Sequence, residues 1–156
     1  AAVVAVVKDG HVLYAHGYGS ANDAKKTPVD PATSLFRIGS TSKLFTWTAL
    51  MQLVQQGKVD LDADVNKYIK QFQIPAAFGQ PVTVRSLMTH SSGFEDGALG
   101  YLIANDSTRV LPIDVTLEQP MPSRVRPPGT LSAYSNYGAA PAAPIFQGVS
   151  GVPFHG

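Results

Sequence analysis

The chain has 156 residues, a length that suits a single domain with a buried core. Its 12 lysines and arginines nearly balance its 11 acidic residues, and no segment concentrates positive charge, which argues against nucleic acid or an anionic membrane surface as a partner. The absence of cysteine excludes disulfides and thiol catalysis, and no run of 18 apolar residues predicts a membrane span.

Residues 2–19 predict a β-hairpin, because two runs rich in β-branched and aromatic residues flank Asp9-Gly10, a dipeptide that favours positive φ in a tight turn. Two strands alone are marginal in water, and the apolar run AVVAVV would leave an open edge. We therefore expect the hairpin to pair with strands of a longer chain or with another chain. Residues 21–34 mix turn formers with two prolines and predict a surface loop.

Apolar residues at helical spacing predict a helix over residues 40–56, which Gly57 ends. They are Leu44, Trp47, Leu50, Met51, Leu53 and Val54. At the start of this helix, Ser40 and Lys43 would share one face, with their β-carbons about 5–6 Å apart. A serine within reach of a lysine suits an activated nucleophile, whereas an N-cap serine followed by a solvated lysine would give the same spacing without any chemistry.

No motif in the sequence indicates a metal or a cofactor. Asp60, Asp62 and Asp64 imitate the start of a calcium loop, but the positions that require glycine and glutamate hold Val65 and Gln71. These aspartates are therefore predicted to serve as caps and turns. The histidines show no His-x-x-x-His spacing that would suit zinc.

Short helices and loops are predicted for the middle of the chain. Thr83 is expected to cap a short helix with the sequence VRSLMTH. Residues 95–128 are rich in proline and glycine and predict loops, with a short helix near residues 115–119.

Tyr134, Ser135 and Asn136 form a second group of residues suited to chemistry. The phenol of a Tyr-x-Asn triplet can relay a proton, and its carboxamide can both donate to and accept from an amide-like substrate. The alternative is a simple turn, because serine, asparagine and glycine are ordinary turn formers after Pro-Pro-Gly.

The motifs occur in an order that resembles a known superfamily. FRIGSTSK precedes a long apolar helix and is followed by GKVDLDADVNKYI, VTVRSLMTHSSGF and RPPGTLSAYSNYG. Together they resemble the serine β-lactamase and penicillin-binding-protein superfamily, in particular its class C β-lactamase and esterase-like branch. The similarity extends from the hairpin to GVSGVPF at residues 148–154.

The resemblance implies an α+β fold of the β-lactamase/transpeptidase type, in which helices flank an antiparallel sheet beside an all-helical region. The chain would be the N-terminal part of one catalytic domain, incomplete at its C-terminus. The hairpin would occupy residues 1–20, the nucleophile helix residues 40–57, and a helical and loop region residues 58–140.

The resemblance also implies roles for individual residues. Ser40 matches the acylated nucleophile, and Lys43 matches its partner in proton transfer. Tyr134 matches the tyrosine that helps to activate the serine or the deacylating water and protonates the leaving group, while Asn136 matches the side chain that holds the substrate's amide. The backbone N–H of Ser40 would form half of the oxyanion hole. His90, within THSSGF, is expected to be structural rather than a base.

Two features depart from the pattern of the superfamily. The Lys-Thr-Gly or His-x-Gly motif on a later strand, which supplies the second oxyanion donor, does not occur before Gly156. Because losing one such donor costs about 10²–10³-fold in rate, we expect this chain to hydrolyse activated esters poorly. Pro141 and Pro144 fall where the superfamily continues a helix, and we expect each to remove a backbone donor and disturb the helix ladder, and with it the support of Tyr134 and Asn136.

The resulting hypothesis is a serine hydrolase that acts through an acyl-enzyme on a small ester, β-lactam or D-amino-acid amide, with an ester as the first choice. The alternative is a catalytically silent fragment or homologue with a binding or assembly role. Expected partners are the small-molecule substrate and the missing C-terminal half or another chain, not nucleic acid. The resemblance favours a periplasmic or extracellular location.

Overall fold

The computed structural model describes residues 1–96, 111–119 and 121–154. The chain separates into two compact units, residues 1–39 and residues 40–156. That both units belong to a single catalytic domain stays a prediction. Of the loop region predicted at residues 95–128, residues 97–110 and 120 lie outside the described residues.

The predicted hairpin is present in the first unit. Strand β1 (Ala2–Lys8) pairs antiparallel with strand β2 (His11–Tyr18). Asp9 and Gly10 both have positive φ, 51° and 77°, as a tight hairpin turn of this handedness requires. The register shifts between Val6 and Val7, because Leu13 is an extra residue on β2.

A second pair of short strands follows, β3 (Ser20–Asn22) and β4 (Thr27–Pro28), again antiparallel. The prediction of a plain loop over residues 21–34 is therefore wrong for its first half. The cause is a tight turn, in which Lys26 adopts a φ of 50° and the Asn22 side chain accepts a hydrogen bond from the backbone of Lys25. Turn formers indicated the reversal but not the strands on either side.

The main helix of the second unit, α1 (Lys43–Gln55), begins three residues later than predicted. A 3-10 helix, Gly39–Ser42, precedes it and contains Ser40. Such tighter turns are common at helix ends, and the positive φ of Gly39 (56°) together with a run of small polar residues does not favour a regular α-helical turn here. The helix ends as predicted, with Gly57 at a φ of 69°.

Shorter helices complete the second unit: α2 (Val84–Met88), α3 (Ile113–Glu118), α4 (Asn136–Ala139) and α5 (Ala142–Ser150). The predicted cap of α2 is present, because Thr83 and Ser86 exchange side-chain and backbone hydrogen bonds in a capping box.

Two of the three aspartates, Asp60 and Asp64, act as predicted. The carboxylate of Asp60 accepts from the backbone of Asp62, and that of Asp64 accepts from Asn66. Both bonds close local turns, as short acidic side chains commonly do. Asp62 instead pairs with the guanidinium of Arg85, 2.7 Å away.

Pro141 and Pro144 lie at the start of α5, where the backbone N–H groups of a helix make no bond within the helix. The helical segment breaks between α4 and α5, and Pro141 occupies the N-cap of α5. Pro144 lies in the first turn of α5, where backbone N–H groups have no partner within the helix. The backbone N–H of Ile145 then makes the first regular bond, to the carbonyl of Pro141. The expected disturbance by these prolines is therefore wrong for the helix ladder.

The core of the second unit packs one face of α1 against the later helices and the loops between them. Its fully buried side chains include Leu50, Val65, Ile69, Val84, Leu87, Leu117, Tyr137 and Ile145. Contrary to prediction, Leu44 and Met51 do not join it and remain exposed. The cause is that α1 is apolar around most of its circumference, so helical spacing alone did not reveal which face is covered.

Within the described ranges, 1–96, 111–119 and 121–154, no helix has the length and apolar character needed to cross a membrane.

Candidate active site

The ammonium group of Lys43 is the centre of the candidate site. Its Nζ donates to Ser40 Oγ at 3.1 Å, to Tyr134 Oη at 2.6 Å and to Asn136 Oδ1 at 2.9 Å. An ammonium group has three protons, so these bonds use all of them. The other three residues singled out in the sequence thus lie within hydrogen-bonding distance of this one atom.

Ser40 and Tyr134 are also joined directly. Their hydroxyl oxygens are 2.5 Å apart, with Tyr134 donating, and the Tyr134 hydroxyl lies 3.2 Å from Asn136 Oδ1. Both hydroxyl-bearing residues are exposed, and half of the Tyr134 surface is accessible. A small molecule in solution can therefore reach them.

The position of each residue follows from local structure. Ser40 lies in the 3-10 turn, and Lys43 is the first residue of α1, so the serine precedes the lysine by one turn. Asn136 is the first residue of α4, a short helix capped by Ser135 through the backbone N–H of Gly138. Capping thereby fixes the point at which the Tyr-x-Asn triplet leaves its loop.

That loop is held by the segment at residues 89–92. Backbone carbonyls of Thr89, His90 and Ser91 accept from the Ser132 hydroxyl and from the N–H groups of Ala133 and Gly129, each at 2.8 Å. These bonds run along the loop before Tyr134. The loop is therefore shaped by the THSSGF segment and not only by its own turn formers.

His90 supports the triplet itself, in agreement with its expected structural role. Its Nδ1 accepts from the backbone N–H of Ser135 at 3.3 Å, and its ring lies 4.4 Å from the ring of Tyr134, centroid to centroid. The imidazole thus contacts the aromatic face of Tyr134, while the Tyr134 hydroxyl remains with Lys43 and Ser40.

Asp96 is a contact of the site that the sequence did not reveal. Its carboxylate accepts from the backbone N–H of Asn136 at 2.8 Å, so a negative charge lies at the first residue of α4. The only signal was proximity in the chain, because Asp96 follows the THSSGF segment that was expected to support the site.

The site lowers the pKa of Tyr134 below its ordinary value. The main cause is the hydrogen bond from the Lys43 ammonium, and the hydrogen bond with Ser40 adds to it. Partial burial and the negative charge of Asp96 oppose the effect and raise the pKa, but they do not outweigh it. The arrangement therefore favours a phenolate next to the serine hydroxyl more than water does.

The sequence matches the family described as Beta-lactamase over residues 1–155. Penicillin-binding protein 4* of Bacillus subtilis is 30% identical over 156 residues, covering 97% of this chain and 33% of that protein. The solved structure of EstCE1, described as a hydrolase with promiscuous acyltransferase activity, is 25% identical with a TM-score of 0.80 and covers 97% of this chain and 42% of that chain.

A D-amino acid amidase from Ochrobactrum anthropi is 29% identical, with a TM-score of 0.76, and covers 97% of this chain and 41% of that chain. The chain thus spans less than half the length of each of these three proteins. The family match covers nearly all of it, and both solved structures share its α+β fold. The chain therefore belongs to the beta-lactamase family.

Proposed function

We propose that the protein is a serine hydrolase that forms an acyl-enzyme on Ser40. The observation that carries the proposal is the set of bonds from Lys43 to Ser40, Tyr134 and Asn136. A cation at this position stabilises a phenolate, and a phenolate beside a serine hydroxyl is a general base in reach of its proton. The family and the two solved relatives described as a hydrolase and an amidase support the same reaction class.

In the proposed reaction, Ser40 Oγ attacks the carbonyl carbon of the substrate while its proton passes to the phenolate oxygen of Tyr134. Breaking the bond to the leaving group returns that proton to the leaving atom and leaves the acyl group on Ser40. Water then attacks the acyl-enzyme, with Tyr134 accepting a proton from it. Release of the acid transfers this proton to Ser40 Oγ, which restores the starting state.

Lys43 keeps its charge throughout these steps and holds the phenolate in place. The oxygen of the Asn136 carboxamide faces this ammonium, so its nitrogen is the end that can donate to a substrate carbonyl. The backbone N–H of Ser40, in the turn that leads into α1, is the proposed oxyanion donor within this chain.

We place an ester first among the substrates, ahead of a β-lactam or a D-amino-acid amide. Activated esters need the least help at the leaving group, and EstCE1 is described as having acyltransferase activity. β-Lactams and D-amino-acid amides remain candidate substrates, because relatives are described as a penicillin-binding protein and a D-amino acid amidase.

The test is covalent labelling. Incubation with a fluorophosphonate and with benzylpenicillin, followed by intact mass and peptide mapping, should give one adduct, on Ser40. Ser40→Ala should abolish it, whereas Ser42→Ala, in the same exposed turn, should retain it. Lys43→Ala and Tyr134→Phe should each slow labelling by about 10²–10⁴-fold, the usual scale for a lost general acid or base.

A chain that binds these probes without an adduct would instead have a binding or assembly role. An adduct that persists in Ser40→Ala would assign the chemistry to another residue. Unchanged labelling rates in both Lys43→Ala and Tyr134→Phe would show that these two side chains only pack in the site and take no part in proton transfer.

A further inference from the structure

An apolar cavity of about 220 Å³ opens next to the candidate site. Lys43 and Asn136 line its polar end, and Trp47 and Phe154 contribute aromatic surface. The small side chains of Ala139 and Ala140 also line it and leave the space unfilled. A run of small residues in the sequence, GAAPAA at residues 138–143, therefore corresponds to a gap beside α1.

The cavity adjoins the candidate site, because Lys43 and Asn136 line it. Lys43 and Asn136, two of the three residues with polar side-chain ends other than Trp47 that line it, are bonded to each other, and the Lys43 ammonium is 3.1 Å from Ser40 Oγ; the third is Thr46. A group attached to a carbonyl carbon at Ser40 would have to extend only past Lys43 and Asn136 to enter the cavity. We propose that this cavity binds the apolar part of the acyl group that is transferred to Ser40; the proposal rests on the proposed function.

The lining also defines the chemistry of the occupant. Among the described residues that line the cavity, Lys43 alone is charged, and its three protons are already donated. A charged acyl substituent would lose its hydration and would find no charged partner with a free proton, which is costly. The occupant is therefore a neutral, apolar chain or ring.

The volume sets its size. An apolar cavity of about 150 Å³ is known to hold benzene, so 220 Å³ suits a phenylacetyl group or an acyl chain of about six carbons. Each methylene that leaves water in such a pocket is worth about fourfold in binding at 25 °C. Acyl chains longer than the cavity gain nothing further from it.

The experiment measures the rate of adduct formation on Ser40 with p-nitrophenyl acetate, butyrate, hexanoate, phenylacetate and decanoate. We expect the rate to rise about fourfold per added methylene up to hexanoate, and to stop rising or fall at decanoate. Phenylacetate should react at a rate near that of hexanoate.

Ala140→Phe fills the cavity and should lower the ratio of the hexanoate rate to the acetate rate by about 10²-fold, the loss of four buried methylenes. Trp47→Ala enlarges it and should move the optimum towards decanoate, a gain that loss of folded protein cannot produce. Thr48→Phe introduces the same side chain at an exposed position of α1 that does not line the cavity, and should leave the ratio unchanged.

Adducts that form with no dependence on acyl length, or a ratio unaffected by both Ala140→Phe and Trp47→Ala, would overturn the cavity assignment while the proposed hydrolase stands. No adduct on Ser40 with any ester would overturn the hydrolase and the cavity assignment together.

Discussion

Lys43 is the residue on which the candidate site depends, because one ammonium group contacts the other three side chains. Its effect is electrostatic as well as geometric, since it lowers the pKa of Tyr134. Asp96 acts in the opposite direction, because its negative charge disfavours the phenolate. The pKa of Tyr134 is therefore lowered by Lys43 and Ser40, while burial and, to a smaller extent, Asp96 raise it.

Asp96→Asn should shift this balance. The amide oxygen can still accept from the backbone of Asn136, but the negative charge is gone, so the pKa of Tyr134 should fall further. If the phenolate is the base, the rate of Ser40 labelling rises with pH through this pKa, and the inflection should move to lower pH in Asp96→Asn. The measurement is the pH profile of adduct formation in the two proteins.

Asn66→Asp serves as the charge control, because it changes the charge by one unit at a site that bonds to Ile74 and Asp64 and not to the triplet. It should leave the inflection in place. An inflection that moves to higher pH in Asp96→Asn, or does not move, would contradict the assignment of the inflection to Tyr134.

Local spacing made each pair of site residues visible, and the resemblance of the motif order to the superfamily predicted that the two pairs form one site. Ser40 and Lys43 are three residues apart, and Tyr134 and Asn136 are two apart, so each pair was visible as a motif. The contact of Asp96 was not visible in the sequence, because it joins residues 40 positions apart and depends on the path of the loops between them. Neither motif predicts the conformation of those loops.

At the scale of elements, the hairpin turn and the cap of α2 were predictable because both depend on residues adjacent in the chain. The start of α1 was not, since the choice between a 3-10 and an α-helical turn at Ser40 depends on small energy differences. Its buried face was not predictable either. Leu44 and Leu50 belong to the same predicted apolar stripe, but Leu44 is exposed and Leu50 is fully buried.

At Gly138, helix α4 packs closely against the THSSGF segment, residues 89–94. A β-carbon added there would lie 2.7 Å from Ser92 Oγ and 3.3 Å from the β-carbon of Ser135. Both serines are almost fully buried, 1% and 2% exposed, and cannot move aside easily. Close contact at this point fixes how near α4 lies to the THSSGF segment.

Gly138→Ala should therefore destabilise the protein by about 1–3 kcal/mol, the usual cost of overpacking. The double variant Gly138→Ala, Ser92→Ala removes the clashing oxygen and should recover part of the loss, as measured by urea unfolding. Ala143→Gly, in α5, is a control for glycine and alanine propensity in a helix. Equal stability of the single variant and the wild type would show that the contact is looser than 2.7 Å.

At the scale of the whole molecule, strand β1 carries the run AVVAVV, and most of its side chains are exposed in this structure. Such a run has high β-propensity, no charge and no proline, which is the signature of segments that form cross-β fibrils. The register shift after Val6 and the charge of Lys8 at the strand end are features that limit edge pairing.

We therefore expect Val4→Lys, at a position 44% exposed, to slow fibril growth without lowering the melting temperature. Thioflavin fluorescence and thermal unfolding measure the two effects. Leu35→Lys removes an apolar side chain that is 98% exposed and lies outside the strands, and should slow growth less. Equal slowing by both variants would assign the effect to general hydrophobicity.

The bonds of Lys43 have a further consequence for folding. Tyr134 and Asn136 are 91 and 93 residues away from it in the chain, so the candidate site closes a very long loop. Closing a loop of this length costs about 4 kcal/mol in chain entropy, which a few exposed hydrogen bonds do not repay until the core between them has formed. The capped helix α2 and its following turn are local and can form early. Tyr134 and Asn136 are then among the last groups to reach Lys43, and only a chain that has completed its fold assembles the candidate site.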